Sequence, residues 1–580
     1  MNQNITPLRR FLKLARTDKR DILRLFIFSV FAGIVGLSIP LGVQAIINFI
    51  AIGQQTTSWI VLIFMVTIGT AIIGLARLMQ LIIIETIQQR IFVRSAFDFA
   101  YRIPKLKLEE IKDQYAPELA NRFFDTLSVQ KGLPKILVDI PVSTFQIIFG
   151  LIVLSLYNAF FLIFGLILIA LLIGVILLTA PRGLRTSIIE SKYKYKVAYW
   201  LEELGRTISS FKLAGGTQYP LEKTNDLVES YLSYRRKHFS VLKWLFISIV
   251  SLKTTATGIF LLMGGLLVMS GALNIGQFVA AEIIIIVILN AIEKIILSSE
   301  TFFDVLTALE KIGQVSDLNL ESDRGIDFAP IVRPKGISIK IHNLHYKPEG
   351  NTDYALRDID LEIEAGERIC ITGFNASGKT TLLRIIIGLY TNYEGSISYN
   401  DIPQKNINIK SLRSYMGDHI TEEHLFEGTL EENITMGRKG VALPDVINIC
   451  KIVGLTPYLQ KLPEGLDTTI PSDGEGLAGS IIKKIILARC IIDMPQLVVT
   501  ETSLDDTDAK DRKRFIDVLT DSKYPWTSVS VSRNCAFASR CNRVIVLQEG
   551  TIIFDGSYED VKKERYFNDL FNVNSASTIC

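Results

Sequence analysis

A glycine-rich segment in the second half of the chain has the residue types and the spacing that hold phosphate groups. It reads Gly-Phe-Asn-Ala-Ser-Gly-Lys-Thr-Thr over residues 373–381 and fits the pattern G-x-x-x-x-G-K-[ST]. In this pattern backbone N–H groups point toward the phosphates, Lys379 reaches the β- and γ-phosphates, and the Thr380 hydroxyl binds Mg²⁺. The implied ligand is a nucleoside triphosphate with Mg²⁺.

The flanking residues predict the strand and the helix that must position this loop. Residues 367–372 form a short apolar run before it, and residues 382–387 carry a helix onward after it. A glycine-rich turn that only caps a helix is the alternative, and the order of strand, loop and helix argues against it. From Ile337 onward strand-like and helix-like stretches alternate, which predicts an α/β domain with a largely parallel sheet.

The first half of the chain has the composition of a membrane domain. Of the 580 residues 49% are hydrophobic, and six apolar segments are each long enough to cross a bilayer. These segments are 22–49, 58–84, 134–156, 159–180, 241–269 and 277–297. We therefore predict a multi-domain chain with an all-α transmembrane domain of six helices over 1–320, a linker over 321–334, and an α/β P-loop nucleotide-binding domain over 335–580.

The distribution of charge predicts the orientation in the membrane. Loops 50–57, 157–158 and 270–276 carry no charged residue, whereas loops 88–135 and 182–243 are rich in lysine and arginine. By the positive-inside rule the N-terminus, the two long loops and the second domain lie in the cytoplasm. The first apolar run is too long for a cleavable signal peptide. Helix breakers at 115–119 and 215–220 predict turns that are either couplers between domains or plain punctuation between helices.

Charged side chains inside the apolar segments are costly, and each is a candidate functional residue. Arg77 and Glu293 each lie roughly 25 Å from the outer end of their helix, so they can extend to the inner interface. Glu282 lies only about 8 Å inside the outer end of the sixth segment, and Lys253 in the fifth is a conceivable partner. Glu282 and Lys253 are therefore candidates either for the transport pathway or for a pair that packs two helices.

Further short motifs connect this plan to a known family. Residues 462–468 read Leu-Pro-Glu-Gly-Leu-Asp-Thr and 485–489 read Ile-Ile-Leu-Ala-Arg. With the six spans and the phosphate loop, they make the chain resemble an ABC exporter half-transporter along essentially its full length. Residues 38–41, 275–277 and 308–315 are similar to the branch that exports proteins and peptides in type 1 secretion and bacteriocin systems. The chain passes from a short basic leader into its first span, so the peptidase domain found in some of these exporters is not expected.

The resemblance implies a residue-by-residue assignment of the nucleotide site. Tyr346 is similar to the aromatic residue that stacks on adenine. The implied nucleotide-binding set is Tyr346, Gly373, Phe374, Asn375, Ala376, Ser377, Gly378, Lys379, Thr380 and Thr381. A comparison without gaps assigns Glu501 to the acidic Mg²⁺ position, beside Thr380, and Thr502 to the position of the glutamate that polarises the attacking water. A shift of one residue would make Thr500 the Mg²⁺ ligand and Glu501 the base, but Asp508 would then lose its match.

Other positions that the family uses for hydrolysis are also replaced. Thr421 occupies the position of the glutamine that senses Mg²⁺, and Arg533 that of the histidine at the γ-phosphate. The signature Leu-Ser-Gly-Gly-Gln becomes Leu477, Ala478, Gly479, Ser480 and Ile481, which removes a serine hydroxyl and a glycine. Since threonine cannot act as a general base at neutral pH, no intact catalytic residue remains. We expect weak or absent ATP hydrolysis by the chain alone.

In this family two nucleotide domains enclose two ATP molecules, so the replaced residues bear on which dimer the chain forms. They favour a heterodimer with a second ABC half-transporter in which this chain is the impaired half, and a homodimer is the alternative. The predicted function is to bind ATP and so drive or gate efflux of a peptide, protein or other amphipathic cargo across the cytoplasmic (inner) membrane. A periplasmic adaptor is a further candidate partner, and no nucleic acid is expected. The alternative is an ATP-binding membrane scaffold or regulator that neither hydrolyses ATP nor transports.

Overall fold

The chain folds into two compact units, which the computed structural model describes over residues 6–36, 38–52, 57–111, 116–332, 335–420, 424–501 and 507–571. The first unit comprises Met1–Lys105 and Asp113–Leu318, and the second comprises Leu106–Lys112 and Asn319–Cys580. The sequence predicted a first domain over 1–320, a linker over 321–334 and a second domain over 335–580. The assignment of the short segment Leu106–Lys112 to the second unit was not anticipated.

The first unit is helical throughout its described part. Its helices are α1 Pro7–Thr17, α2 Lys19–Gly36, α3 Ser38–Ile52, α4 Thr57–Arg102, α5 Ala116–Asn121, α6 Asp125–Tyr157, α7 Ala159–Arg206, α8 Ile208–Leu213, α9 Tyr219–Met269 and α10 Ile275–Ser316. Among the described residues six stretches are long and apolar enough to span a membrane, and each contains one of the predicted segments. The prediction of six spanning helices is thereby confirmed.

The long helices continue well beyond the thickness of a bilayer. Helix α9 has 51 residues and α7 has 48, so each is more than 70 Å long at about 1.5 Å per residue, against roughly 30 Å of hydrocarbon. Residues 215–218 of the predicted turn lie between α8 and α9, with φ of 74° at Gly215 and 77° at Gly216, and the last two residues of the turn begin α9. Tyr115 lies outside the described residues, and the rest of the predicted turn at 115–119 falls in α5.

The core of the spanning region is packed from large apolar side chains of four helices. The rings of Phe161 on α7 and Phe260 on α9 have centroids 5.5 Å apart, and both are fully buried. Ile284 and Ile288 on α10 are buried in the same cluster, with Leu151 of α6. This arrangement fixes α6, α7, α9 and α10 against one another in the first unit.

The second unit combines strands and helices in alternation. Its elements are β1 Ile339–Tyr346, β2 Leu356–Ile363, β3 Arg368–Gly373, α11 Lys379–Ile386, β4 Glu394–Tyr399, β5 Ile402–Pro403, α12 Ile409–Arg413, β6 Met416–His419, β7 Gly428–Thr429, α13 Leu430–Thr435, α14 Leu443–Val453, α15 Thr456–Leu459, β8 Thr469–Ile470, α16 Gly479–Ile491, β9 Leu497–Glu501, α17 Ala509–Thr520, β10 Thr527–Val531, α18 Cys535–Ala538, β11 Arg543–Gln548, β12 Thr551–Gly556, α19 Tyr558–Val561 and α20 Phe567–Leu570.

The main sheet of the second unit has the strand order β12-β11-β3-β10-β9-β6. All of its pairs are parallel except β11 with β12. A second, antiparallel sheet has the order β2-β1-β4-β5, so the largely parallel sheet that the sequence predicts is joined by an antiparallel one. Strand β3 is buried along its whole length and lies between β10 and β11. The phosphate loop therefore leaves the carboxyl end of an inner strand.

The segment 106–111 is fixed to the second unit by backbone and carboxylate contacts. Leu106 forms a β-bridge with Leu320 and is 4% exposed. The Glu109 carboxylate accepts hydrogen bonds from the backbone N–H groups of Thr391 and Asn392, each at 2.9 Å. These contacts integrate a segment from early in the chain into the later unit.

Candidate nucleotide-binding site

The predicted phosphate loop borders a cavity at the carboxyl ends of β3, β9 and β10. This cavity has a volume of about 540 Å³, and it is lined by residues 375–381 of the loop, by Glu501 and by residues 531–534 after β10. Ala355, just before β2, completes the lining. Ligand sites in parallel α/β sheets form at this edge because the loops that follow neighbouring strands meet there. The sequence analysis missed Ala355, Ser532 and Asn534, since no local pattern marks them.

Two glycines allow the loop to approach its neighbours. Gly373 has φ of 151°, and a Cβ there would lie 2.2 Å from the Leu547 carbonyl oxygen. Gly378 has φ of 95°, and a Cβ there would lie 2.7 Å from the Ala355 carbonyl oxygen. Both φ values belong to the region that favours glycine. The glycine positions of the motif therefore follow from backbone geometry and close packing.

Lys379, the first residue of α11, directs its amine along the loop. Its Nζ donates to the carbonyl oxygens of Phe374 at 2.6 Å and Gly373 at 3.1 Å, and to Ser377 Oγ at 3.1 Å. Burial lowers the pKa of Lys379, and the nearby Arg533 guanidinium lowers it further. An anion bound in the cavity would raise the pKa of Lys379 again, because a nearby negative charge stabilises the protonated amine.

Thr380 and Glu501 meet at the edge of the cavity. Thr380 Oγ1 donates to Glu501 Oε1 at 2.8 Å. The preceding residue, Thr500, is only 1% exposed, and its hydroxyl donates instead to Ser530 Oγ at 2.8 Å. The structure thus brings together the threonine and the carboxylate of the gapless register. It directs Thr500, the Mg²⁺ ligand of the shifted register, away from the cavity.

Arg533 adds a second cation to the phosphate loop. Its Nη2 donates to Asn375 Oδ1 at 2.9 Å and to the Gly373 carbonyl oxygen at 3.2 Å. With Lys379 it places two positive side chains beside the same cavity. The sequence comparison treated Arg533 only as the loss of a histidine, whereas the structure gives it a position from which it can contact an anion.

The adenine-stacking role of Tyr346 stays a prediction. In this structure Tyr346 is only 4% exposed, and one face of its ring is stacked on Tyr390 with centroids 5.2 Å apart. Among the described residues Tyr346 is not part of the cavity lining. As placed here, the ring has almost no exposed surface for a base. Tyr354, next to Ala355, is a 38% exposed ring on the same hairpin.

Several predicted positions are not brought to this cavity. Thr502 and Thr421 lie outside the described residues. The signature-like residues are at the start of α16, with Ala478 at its N-cap, where the side chain makes no capping hydrogen bond. Leu477 and Ile481 instead pack against the core of the unit. Ala478 and Gly479 are exposed, so the segment forms part of the surface.

The predicted pairing of Lys253 with Glu282 is wrong. Lys253 Nζ donates to Glu293 Oε2 at 2.6 Å and to Asn290 Oδ1 at 3.0 Å. Glu282 lies 11 residues before Glu293 on α10, which is about three helical turns. Sequence spacing gives the depth of each charge along its own helix but not the relative register of α9 and α10, and the pairing depends on that register.

Comparison with known proteins identifies the family. The model of the ABC transporter transmembrane region matches residues 22–292, and that of the ABC transporter ATP-binding family matches residues 356–503. Together the two matches cover more than half of the chain, in the order of its two units. The chain therefore belongs to the ABC transporters, with a membrane region fused to an ABC domain. The resemblance and the fold class inferred from the sequence are thereby confirmed.

Individual relatives point to exporters. The chain is 27% identical over 301 residues to the transport/processing ATP-binding protein ComA of Streptococcus pneumoniae, covering 52% of this chain and 41% of ComA. It is 26% identical over 317 residues to the Mesentericin-Y105 transport/processing ATP-binding protein MesD of Leuconostoc mesenteroides, covering 54% and 43%. It is 24% identical over 368 residues to the ATP-dependent lipid A-core flippase of Legionella pneumophila, covering 62% and 61%. The matches thus span about half the length of these relatives.

A solved structure has the same fold. A bacterial Atm1-family ABC exporter with ATP bound matches with a TM-score of 0.84, covering 97% of this chain and 99% of that chain at 16% identity. At this identity the likeness concerns the fold alone. The order of six helices followed by an ABC domain is thus the fold of an ABC exporter.

Proposed function

We propose that this chain is an ABC exporter subunit that binds Mg-ATP in the cavity of its second unit and is the hydrolytically impaired half of a heterodimer. The observation that carries the proposal is the contact of Thr380 with Glu501 at 2.8 Å beside the phosphate loop. That contact joins the two oxygen donors that the motif needs for Mg²⁺. The same unit has Ala478 in place of the signature serine.

The donor set suits Mg²⁺ better than a softer metal. Mg²⁺ prefers oxygen ligands and is commonly held by one or two protein oxygens together with substrate phosphates. Thr380 and Glu501 would supply the protein oxygens. The ion, when bound, neutralises phosphate charge. Lys379 and Arg533 would hold the phosphates, and the backbone N–H groups at the start of α11 would orient them.

We expect the chain to hold ATP without hydrolysing it, because residues needed for hydrolysis are replaced. Thr502 has no carboxylate with which to take a proton from an attacking water. Ala478 has no hydroxyl to offer a γ-phosphate bound to a partner subunit. In a heterodimer with an intact partner, the partner's own phosphate loop and base would face Ala478–Ile481, and that composite site is the one we expect to turn over.

The transport role rests on the membrane unit and the relatives. The chain would lie in the cytoplasmic membrane, with its N-terminus and second unit in the cytoplasm, because loops 88–135 and 182–243 carry many basic residues. Relatives named as transport/processing proteins, one of them for Mesentericin-Y105, and as a lipid A-core flippase favour a peptide, protein or other amphipathic cargo. A periplasmic adaptor is an additional partner to test by co-purification.

Two assays on the full-length chain test the proposal. Equilibrium titration should detect Mg-ATP binding that Lys379→Ala weakens strongly, while phosphate release by the purified chain alone should be close to background. Addition of a co-purifying ABC partner should restore hydrolysis. Rapid turnover by the chain alone would contradict the impaired assignment, and unchanged ATP affinity in Lys379→Ala would contradict the site.

The second candidate function is an ATP-binding membrane scaffold or regulator that transports nothing. The uncapped, exposed Ala478 favours it, because closure of a partner over ATP would have fewer donors. A vesicle export assay separates the two functions. A complex whose cargo efflux is unaffected by Lys379→Ala in this chain would favour the scaffold.

We also propose that Tyr354 supports the adenine ring in place of Tyr346. The ring of Tyr354 is exposed, precedes the cavity-lining Ala355, and has Lys347 Nζ 5.8 Å from its centroid. Base stacking on an aromatic ring contributes roughly 1–3 kcal/mol. Tyr354→Ala should therefore weaken ATP binding by roughly fivefold to a hundredfold, and Tyr346→Leu should affect affinity less once stability is matched. The reverse order would restore the sequence-based assignment.

A further inference from the structure

The first unit contains a basic cavity that the nucleotide chemistry does not use. It has a volume of about 630 Å³ and lies among α5, α7, α9, α10 and the 3₁₀ turn Arg122–Phe124. Five cationic side chains line it, namely Arg122, Lys192, Lys196, Lys223 and Lys311. The acidic lining residues are Glu118 and Glu203. The wall therefore carries an excess of positive charge.

Both acidic residues are already engaged. The Glu118 carboxylate accepts from Arg122 Nη2 at 2.6 Å. The Glu203 carboxylate accepts from Arg206 Nη2 at 2.6 Å, and Arg206 is not part of the cavity wall. Glu203 also lies close enough to Lys223 to interact with it electrostatically, and Asp125 and Glu118 act in the same way on Lys311. The five cations still outnumber these carboxylates, so an anionic ligand would add to the balance of charge.

Lys311 is the feature that points most directly to a ligand. It is only 5% exposed, it lines the cavity, and it makes no hydrogen bond or ion pair to any described residue. Its Nζ lies 5.3 Å from the centroid of the Tyr195 ring. The hydroxyl of that ring donates to Asp125 Oδ2 at 2.5 Å, so this carboxylate is already engaged by another group. A buried ammonium without an acceptor is unfavourable, and an anion would relieve this.

Arg122 supplies a second buried cation on the same wall. It is 9% exposed, and its guanidinium lies 4.0 Å from the Tyr195 ring centroid. Its Nε and Nη1 atoms have no hydrogen-bond partner among the described residues. Lys311 and Arg122 thus place two positive charges against one aromatic ring, and the unpaired Nε and Nη1 of Arg122 are enclosed by protein atoms. Two adjacent cations match a doubly charged oxyanion better than a single carboxylate.

The cavity is in the part of the helices that extends beyond the hydrocarbon. Helix α7 begins at Ala159, so its lining residues 192–203 are at least roughly 48 Å along a helix that crosses about 30 Å of hydrocarbon. Water can therefore reach the wall. Part of it is aromatic: Tyr199 and Trp200 line the cavity, and Lys223 Nζ lies 4.1 Å from the Trp200 ring centroid.

We propose that this cavity binds a phosphate-bearing molecule, with the phosphate held by Lys311 and Arg122 and the remainder of the ligand against Trp200 and Tyr199. The site is separate from the ATP cavity, which is in the second unit. The same phosphate chemistry can come from a soluble phosphate ester or from a phospholipid headgroup. These sources differ in whether the ligand enters from water or from the bilayer.

The test uses the full-length chain carrying Lys379→Ala, so that the phosphate loop contributes little. In one arm the protein, in phosphatidylcholine nanodiscs, is titrated with glycerol 3-phosphate and followed by Trp fluorescence and thermal unfolding. In the other arm the nanodiscs contain phosphatidic acid instead. Saturable binding of glycerol 3-phosphate would identify the ligand as a soluble phosphate ester. A shift of the melting temperature only with phosphatidic acid would identify it as a lipid headgroup. Absence of both overturns the proposal.

Lys311→Met, which keeps the unbranched side chain as far as Cε and removes the ammonium, provides the decisive variant. It should weaken binding by roughly tenfold or more, because a charge-assisted hydrogen bond is lost. It should also melt at a higher temperature than the parent without ligand, since an unpaired buried ammonium is removed. Lys237→Met, at an exposed position of α9, is the matched control and should bind as the parent does. Equal weakening by both variants would indicate diffuse attraction and refute the site.

If Lys311→Met does not fold, Lys196→Met tests the same wall at an exposed position. We expect it to weaken binding by roughly two- to fivefold, because a partly exposed charge is screened. If the parent binds saturably and Lys196→Met binds as tightly as Lys237→Met, this part of the wall is not in the site.

Discussion

Arg533→Ala is expected to weaken Mg-ATP binding, although Arg533 replaces a family histidine. A hydrogen bond to a charged group contributes roughly 1.5–3 kcal/mol. To form such a bond with ATP, Arg533 must break its hydrogen bonds to Gly373 at 3.2 Å and to Asn375 at 2.9 Å. Breaking both costs about 1 kcal/mol of the gain in binding free energy. The remaining free energy of roughly 0.5–2 kcal/mol corresponds to roughly two- to thirtyfold in affinity at about 1.4 kcal/mol per factor of ten.

Isothermal titration of the full-length chain with Mg-ATP measures this change. Arg533→Lys should retain most of the affinity if charge is what matters, and Arg565→Ala, at an exposed position of the same unit, is the matched control. A second readout is the pKa of Lys379, which should rise in Arg533→Ala because a neighbouring cation is removed. Parent-like affinity in Arg533→Ala, or equal losses in Arg533→Ala and Arg565→Ala, would refute the reasoning.

Three further outcomes are expected. Thr380→Val should remove most of the difference in ATP affinity between Mg²⁺ and EDTA, measured by titration, because it deletes one of the two proposed protein oxygen ligands. Ala478→Ser should slow hydrogen exchange in α16, because the serine hydroxyl adds an N-cap that stabilises the helix by about 0.5–1 kcal/mol. This value is at the low end of the range for such caps, because the Ile481 N–H already donates to the Ala478 carbonyl oxygen at 2.8 Å. Burial lowers the pKa of His419 to about 4. The imidazole of the unfolded chain binds a proton near pH 6.5, whereas the folded chain binds it only near pH 4. The free energy of unfolding should therefore be fully retained above pH 6.5 and fall by roughly 3 kcal/mol between pH 6.5 and 4. Denaturant titrations of His419→Gln should lack this pH-dependent fall.

The sequence predicts what is local and misses what depends on distant packing. The phosphate loop could be inferred because strand, glycines and helix are contiguous, and six spans because their length and polarity are encoded segment by segment. The covering of the Tyr346 ring by Tyr390, 44 residues later in the chain, has no local sequence signal. The Lys253 partner was misassigned because no sequence signal sets the rotation and register of α9 against α10.

The same reasoning explains why the basic cavity was not anticipated. Lys311 belongs to a stretch of α10 that reads as an ordinary amphipathic helix end, and Arg122 to a charged loop. Their shared position against the Tyr195 ring becomes evident only in the structure. A lysine in a sequence carries no mark of whether its ammonium will find an acceptor.

The position of Glu109 has a practical consequence for anyone who wishes to study the ATP-binding unit in isolation. A fragment beginning at residue 319 would lack this carboxylate and leave the N–H groups of Thr391 and Asn392 without the acceptor they have in the whole chain. Loss of these charge-assisted bonds would destabilise the fragment by roughly 1–3 kcal/mol, and Leu320 would lose its bridge to Leu106. The soluble unit is therefore discontinuous in sequence, and supplying residues 106–111 as a tethered peptide should restore stability that trimming alone cannot recover.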